Sequence, residues 1–171
     1  MTKEWPTKKI KEFCEFKYGK NLPAEKRVDG PYPVYGSSSI ASYHEDYLIR
    51  APGLIIGRKG TVGKVQLSKV NYFPIDTTFY VDNTCTKENI YFLYYFFQLC
   101  GFEEMNSDAA VPGLNRNAAV NLKVKLPPRV AQNKIAAVLT SYDDHIENNL
   151  KRIKLLEEMA QITYEESGLF G

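Results

Sequence analysis

The sequence predicts an α+β fold, a mixed sheet followed by one long C-terminal helix, and three observations carry that expectation. Residues from Gly53 to Val81 are rich in β-branched and aromatic side chains and are broken by glycine turns, the composition that strands prefer. Asn89–Gly101 is dense in Tyr, Phe and Leu and has no breaker before Gly101. From Ile135 onward, apolar or small residues recur at alternating steps of four and three, with no Pro or Gly between Pro128 and Gly168.

Read in order, Trp5–Lys17 opens the chain. Ile10, Phe13 and Cys14 suit a short helix, while Ile10–Phe16 equally suits a strand. Tyr18–Asp29 is polar and reads as loop. Pro31 to Ile40 is an extended piece ending in the turn Gly36-Ser37-Ser38-Ser39. Tyr47–Ile49 and Gly53–Gly57 read as strands, followed by the turn Arg58-Lys59-Gly60-Thr61 and a strand near Val62–Leu67. Tyr72–Val81 reads as the next extended segment. Asn89–Gly101 reads as a buried helix rather than a base-stacking platform, because stacking aromatics usually sit singly among basic residues. Ala109 to Asn115 is a turn, Asn115–Asn121 a short helix and Leu122–Leu126 a strand that ends at Pro127-Pro128.

The last quarter places Ile135, Leu139, Tyr142, Ile146, Asn149, Ile153 and Leu156 on one seam, the pattern of a helix that faces a partner helix. From Val130 to Tyr164 such a helix extends roughly 50 Å, longer than a domain of this size needs for its own core. Asn149 falls on the seam, where a buried Asn fixes register at some cost in stability; at the seam's edge it is solvated instead. The expected domains are 1–128, globular, and 129–171, a helical arm for dimerisation and spacing. Packing of the arm against its own domain is the alternative.

Composition excludes several classes. Hydrophobic residues make up 44% and charged residues 25%, ordinary for a globular domain. No apolar run is long enough to cross a membrane, and the start Met1-Thr2-Lys3-Glu4-Trp5 lacks the apolar core of a signal peptide; a cytoplasmic location is expected. Cys14, Cys85 and Cys100 form no CxxC, and His44 and His145 are not placed to complete a zinc site, so packed, reduced thiols and no metal are expected. Charge is uneven. Residues 129–171 carry 5 Lys/Arg against 7 Asp/Glu, and residues 1–128 carry 17 against 13. From Tyr47 to Ile75 there are five basic residues and no acid. A basic domain on a slightly acidic arm is compatible with nucleic acid bound by the domain.

Catalytic signatures fail on spacing. Gly57-Arg58-Lys59-Gly60-Thr61-Val62-Gly63-Lys64 has five residues between its outer glycines rather than four, and Val65 stands where a phosphate loop needs Ser or Thr. There is no GxGxxG, no Asn/Asp-Pro-Pro-Tyr/Phe run and no Ser or Cys nucleophile evident beside either His. Glu15-Phe16-Lys17 has a nuclease-like spacing but no upstream Asp. The chain is expected not to be an enzyme.

The ordered segments resemble the specificity (S, HsdS) subunit of type I restriction–modification systems. The matching pieces begin with Trp5 and Lys9-Ile10, Pro33 to Ile40, Ile55 to Val65 and Ile75-Asp76-Thr77. They continue with Tyr91 to Phe97, Val111 to Asn115, Leu126-Pro127-Pro128, Gln132, Ile135, Leu139, Asp143, Ile146 and Leu156 to Gln161. The resemblance implies a target recognition domain followed by a conserved helix, in a family whose full subunit has two of each. It implies that the chain reads one half of a split target in double-stranded DNA and scaffolds modification (methyltransferase) subunits, with a restriction subunit adding cleavage. The chain itself then holds no cofactor; S-adenosylmethionine belongs to the partner methyltransferase subunit. One domain and one helix correspond to half an S subunit, either a natural half-length protein or the N-terminal half of a longer chain. A homodimer through the seam rebuilds the two-domain arrangement. The competing reading is an interaction module that binds the modification subunit and regulates or blocks assembly without reading DNA.

DNA reading needs base-edge donors and phosphate cations. The Gly57–Lys64 turn is the leading candidate, with Arg58, Lys59, Gly60, Thr61 and Lys64 as contacts and Gly60 and Gly63 letting the backbone approach. Ser37, Ser38 and Ser39 are hydroxyl candidates. Asn115 and Arg116 have the chemistry to read adenine and guanine, or form a helix cap. Lys17, Lys20 and Arg27 are phosphate candidates.

Overall fold

The computed structural model describes residues 4–105 and 113–166. Elements follow in the order β1 (Thr7–Lys9), β2 (Lys17–Tyr18), β3 (Tyr32–Tyr35), β4 (Ile40–His44), β5 (Gly53–Gly57), β6 (Val65–Ser68), β7 (Phe73–Pro74), β8 (Thr78–Val81), α1 (Ile90–Gln98), α2 (Arg116–Asn121), β9 (Lys123–Lys125) and α3 (Arg129–Glu166). Single 3₁₀ turns lie at Ile10–Glu12 and Ala24–Lys26.

The strands form three sheets. The four-stranded sheet β2-β8-β5-β6 is antiparallel, with Ile55 opposite both Gln66 and Tyr80. Its centre is β5, Gly53-Leu54-Ile55-Ile56-Gly57, all five of whose residues are buried; a continuous apolar run without alternation fits a strand covered on both faces. The three-stranded sheet β4-β3-β7 is mixed, β3 being antiparallel to β4 and parallel to β7. β1 pairs antiparallel with β9, so the two ends of the domain close on each other. The fold is thus α+β, with mixed sheets and a long C-terminal helix.

Four aromatic rings anchor the core. Phe16 lies 5.5 Å from Phe97 and 5.8 Å from Phe102, both edge-on, and 6.1 Å from Phe79, in the offset geometries that aromatic pairs favour. α1 supplies Phe97 together with Ile90, Phe92 and Leu93, all buried. Asn89 starts this helix by accepting from Phe92 N at 3.0 Å, which satisfies one of the free amides of the first turn.

Three sequence expectations are redrawn. Tyr72–Val81 is two strands in two sheets: Pro74 has no N–H to continue a ladder, and a turn closed by Thr78 Oγ1 donating to Ile75 O redirects the chain. Tyr47–Ile49 contributes only an isolated bridge between Ile49 and Tyr72. Ile10–Phe16 is neither helix nor continuous strand; a 3₁₀ turn buries Ile10, and Cys14 bridges Thr86. The expected turn at Ala109 to Asn115 lies outside the described residues as far as residue 112.

The chain divides into two units, Met1–Asn133 and Lys134–Gly171. The first unit therefore includes the first turn of α3. Gln132 is fully buried there, its Nε2 donating to Glu88 Oε2 at 2.6 Å and Pro127 O at 2.9 Å while its Oε1 accepts from Asn89 N at 3.1 Å. The second unit is the remainder of α3, in which every residue from 141 to 165 is exposed. Tyr142, Ile146, Leu150, Ile153, Leu156 and Met159 are each more than half accessible. Among the described residues no helix is long and apolar enough to cross a membrane.

Candidate nucleic-acid interface

The Gly57–Lys64 segment is a tight excursion between β5 and β6. Gly57 N donates to Lys64 O and Gly63 N to Gly57 O, at 2.9 and 2.8 Å, closing it at its base. Its tip, Lys59-Gly60-Thr61, is exposed. Gly60 has φ +79° in open space, whereas Gly63 has φ +77° and packs on backbone, a Cβ there falling 2.3 Å from Glu103 N. The turn requires left-handed backbone at both positions, which glycine adopts without strain. Gly63 is buried, and its missing side chain makes room for the Phe102–Glu103 backbone.

The turn is fastened from two sides. Arg58 N, Lys59 N and Ser37 Oγ all donate to Thr77 O, at 2.9, 3.1 and 2.7 Å. On the other side Lys59 bridges Gly113, and Leu114 N donates to Arg58 O at 2.9 Å. That second strap carries α2 to the same place. As a result Arg58 and Arg116, far apart in sequence, both lie over the ring of Tyr18, their guanidinium carbons 5.3 and 5.6 Å from its centroid. The three residues line an open hollow of about 430 Å³ together with Asn115 and Asn117.

A family model for the type I restriction modification DNA specificity domain matches residues 2–158. The chain belongs to that family. The specificity-domain chain is 27% identical over 185 aligned residues to the type I restriction enzyme MjaIX specificity subunit of Methanocaldococcus jannaschii, covering 94% of this chain and 43% of that one. It spans less than half the length of this curated relative. Solved structures share the fold. The type I restriction–modification S subunit from M. genitalium matches with a TM-score of 0.79 at 17% identity, covering 92% of this chain and 44% of that one. The HsdS subunit from Thermoanaerobacter tengcongensis matches with 0.59 at 17%, covering 90% and 40%. A structure described as underlying complex assembly and conformational transition of the type I R-M system matches with 0.66 at 16%, covering 98% and 45%.

The other expected contacts of the specificity-domain chain are placed as follows. Ser38 and Ser39 are exposed, whereas Ser37 is buried and its hydroxyl donates to Thr77 O. Lys64 Nζ donates to Ser38 O at 2.6 Å, joining the serine turn to the glycine turn. Asn115 caps α2, accepting from Ala118 N at 3.1 Å. Arg116 Nε donates to Phe16 O at 2.7 Å, and its guanidinium lies 3.6 Å from Glu15 Oε1. Arg27 clasps its own loop, donating to Leu22 O and Ser42 Oγ, which leaves little of its guanidinium for a phosphate. Lys20 is exposed and Lys17 donates to Thr84 Oγ1 at 3.0 Å.

Tyr18 is the site residue that the sequence reading passed over. The signal was present: Lys17-Tyr18-Gly19-Lys20 sets one aromatic among cations. The three thiols are free and packed; burial pushes Cys85 up to about 11 and Cys100 up to about 12. Among the described residues no cluster of His, Cys, Asp or Glu is arranged to hold a metal ion.

Proposed function

We propose that residues 1–133 form a target recognition domain that reads one half of a bipartite site in double-stranded DNA, and that α3 is the arm that pairs with a second such helix and supports modification subunits. The chain performs no chemistry in this reading; adenine methylation belongs to the partner subunits and their S-adenosylmethionine. The observation that carries it is the convergence of Arg58 and Arg116, from two distant segments of a specificity domain, over Tyr18 beside an open hollow, next to the exposed Lys59. Cations supply positioning on phosphates, and guanidiniums on a rigid turn can also address guanine edges.

The pairing part rests on α3. Its seam residues Tyr142, Ile146, Ile153 and Leu156 are exposed, and Ile135, Leu139 and Asn149 complete the heptad register. Antiparallel self-pairing sets two recognition domains apart along a rod. That spacing corresponds to a target with an unread centre, each helical turn of DNA taking about 10 bp.

The test is co-expression of the chain with its modification subunits, followed by mapping of N6-methyladenine across the host DNA. A two-fold symmetric, interrupted motif is the expected result. A purified complex that adds no methylation overturns DNA reading by this chain and favours an assembly regulator.

A further inference from the structure

Resting on that reading, we propose that Tyr18, Arg58 and Arg116 form a single site for one phosphodiester of the DNA backbone, with Tyr18 as the positioning residue that holds the two guanidiniums together. Tyr18 is the outer end of the aromatic core. Its ring meets Phe79 edge-on at 5.0 Å, and Phe79 in turn packs on Phe16. Tyr18 is nevertheless half in solvent, at 53% accessibility. A ring locked from behind and open in front is a fixed platform.

Both guanidiniums use this platform. Arg58 sits 5.3 Å from the Tyr18 centroid and 6.0 Å from that of Phe79, and Arg116 sits 5.6 Å from Tyr18. The negative face of an aromatic ring attracts a cation at such distances, but two like charges on one ring repel each other. Glu15 offsets part of that repulsion from the Arg116 side. Among the described residues the Arg58 guanidinium donates to the carbonyl of Asp76, at 2.8 Å, and its Nε is buried without a hydrogen-bond partner. Arg116 has the carbonyl of Phe16 and the carboxylate of Glu15, the latter at 3.6 Å and more than half exposed.

Converged guanidiniums with unspent N–H groups, beside an open hollow, are the arrangement that binds a phosphate oxygen pair. A base edge is the less apt occupant. Both arginines are tethered to main-chain carbonyls, which fixes their planes relative to the domain, and a phosphate tolerates two converging forks where a single base edge presents only one bidentate face.

The experiment measures binding of a fluorescein-labelled mixed-sequence duplex by the chain assembled with its modification subunits, across a salt series. For each phosphate neutralised, log K falls with log salt by a slope of about 0.9. The variants Y18A and R58Q are each expected to reduce the slope, by at most about 0.9, and the double variant by no more than about 0.9 in all, because they share one phosphate. Y18F keeps the ring and is expected to retain the wild-type slope. An unchanged slope in Y18A and R58Q overturns the inference while leaving DNA reading intact, and so does a loss in Y18F equal to that in Y18A. If Y18A fails to fold, R58Q and Y18F decide alone. A slope retained in R58Q with one position of the methylation motif relaxed assigns the site to a base instead. A wild-type complex with no salt-dependent DNA binding overturns the reading itself, and the inference with it.

Discussion

Tyr72 is fully buried, and its hydroxyl has no hydrogen-bond partner among the described residues. Burial holds that phenol well above the usual tyrosine range, in keeping with a polar group denied solvent. Tyr72→Phe removes the orphan oxygen while keeping the ring against Tyr35, so it should stabilise the domain by about 1 kcal/mol, read as a rise in thermal midpoint. The two left-handed glycines of the central turn separate conformational strain from crowding. Gly60→Ala meets only its backbone cost, about 1–2 kcal/mol, because nothing lies near its Cβ. Gly63→Ala adds a collision with the Phe102–Glu103 backbone and should cost clearly more, at least about 3 kcal/mol; urea titration of both variants ranks them. At this scale the candidate site was half legible. Arg58 and Arg116 announce themselves as cations beside turn residues, and the cap at Asn115 is a local reading that the structure contains, but no sequence tells that the Ser37 hydroxyl and the Arg27 guanidinium already have partners. Those partners lie on other segments, or in a turn whose geometry is settled only on folding.

Elements built on a local period could be read from the chain, and those built on pairing could not. α3 follows from heptad periodicity and α1 from a dense apolar run without breakers, since a helix satisfies its backbone within itself. β5 follows from its short apolar run between glycines. The division of Tyr72–Val81 between two sheets depends on β3 and β5 as neighbours, which are remote in sequence. The pairing of β1 with β9 joins opposite ends of the domain and has no local signal. The start of α3 shows the same dependence. Gln132 looks like an ordinary polar helix residue, yet it is completely buried and fully satisfied by Glu88, Asn89 and Pro127. Gln132→Ala leaves three buried or half-buried partners unmet and should lower stability by about 2–3 kcal/mol. Thermal denaturation followed by circular dichroism measures this as a lower midpoint.

At the scale of the whole molecule, the unit Met1–Asn133 has its own core while the rest of α3 has none among the described residues. A helix of 38 residues is about 57 Å long at 1.5 Å per residue, and its apolar side chains beyond Ser141 face water. If the proposed seam is correct, charged substitutions at Ile146 and Ile153, such as I146E with I153K, should convert the dimer to monomers without unfolding residues 1–133. Light scattering after size-exclusion chromatography gives the mass, and persistence of the dimer rules out this seam. The exposed ridge also bears on how much of the protein a cell keeps. If α3 pairs as proposed, copies made in excess of their partners show chaperones and proteases the kind of apolar stretch those systems capture. The standing amount is then expected to follow the supply of partners, which a chase after synthesis is stopped, with and without co-expressed partner, would measure.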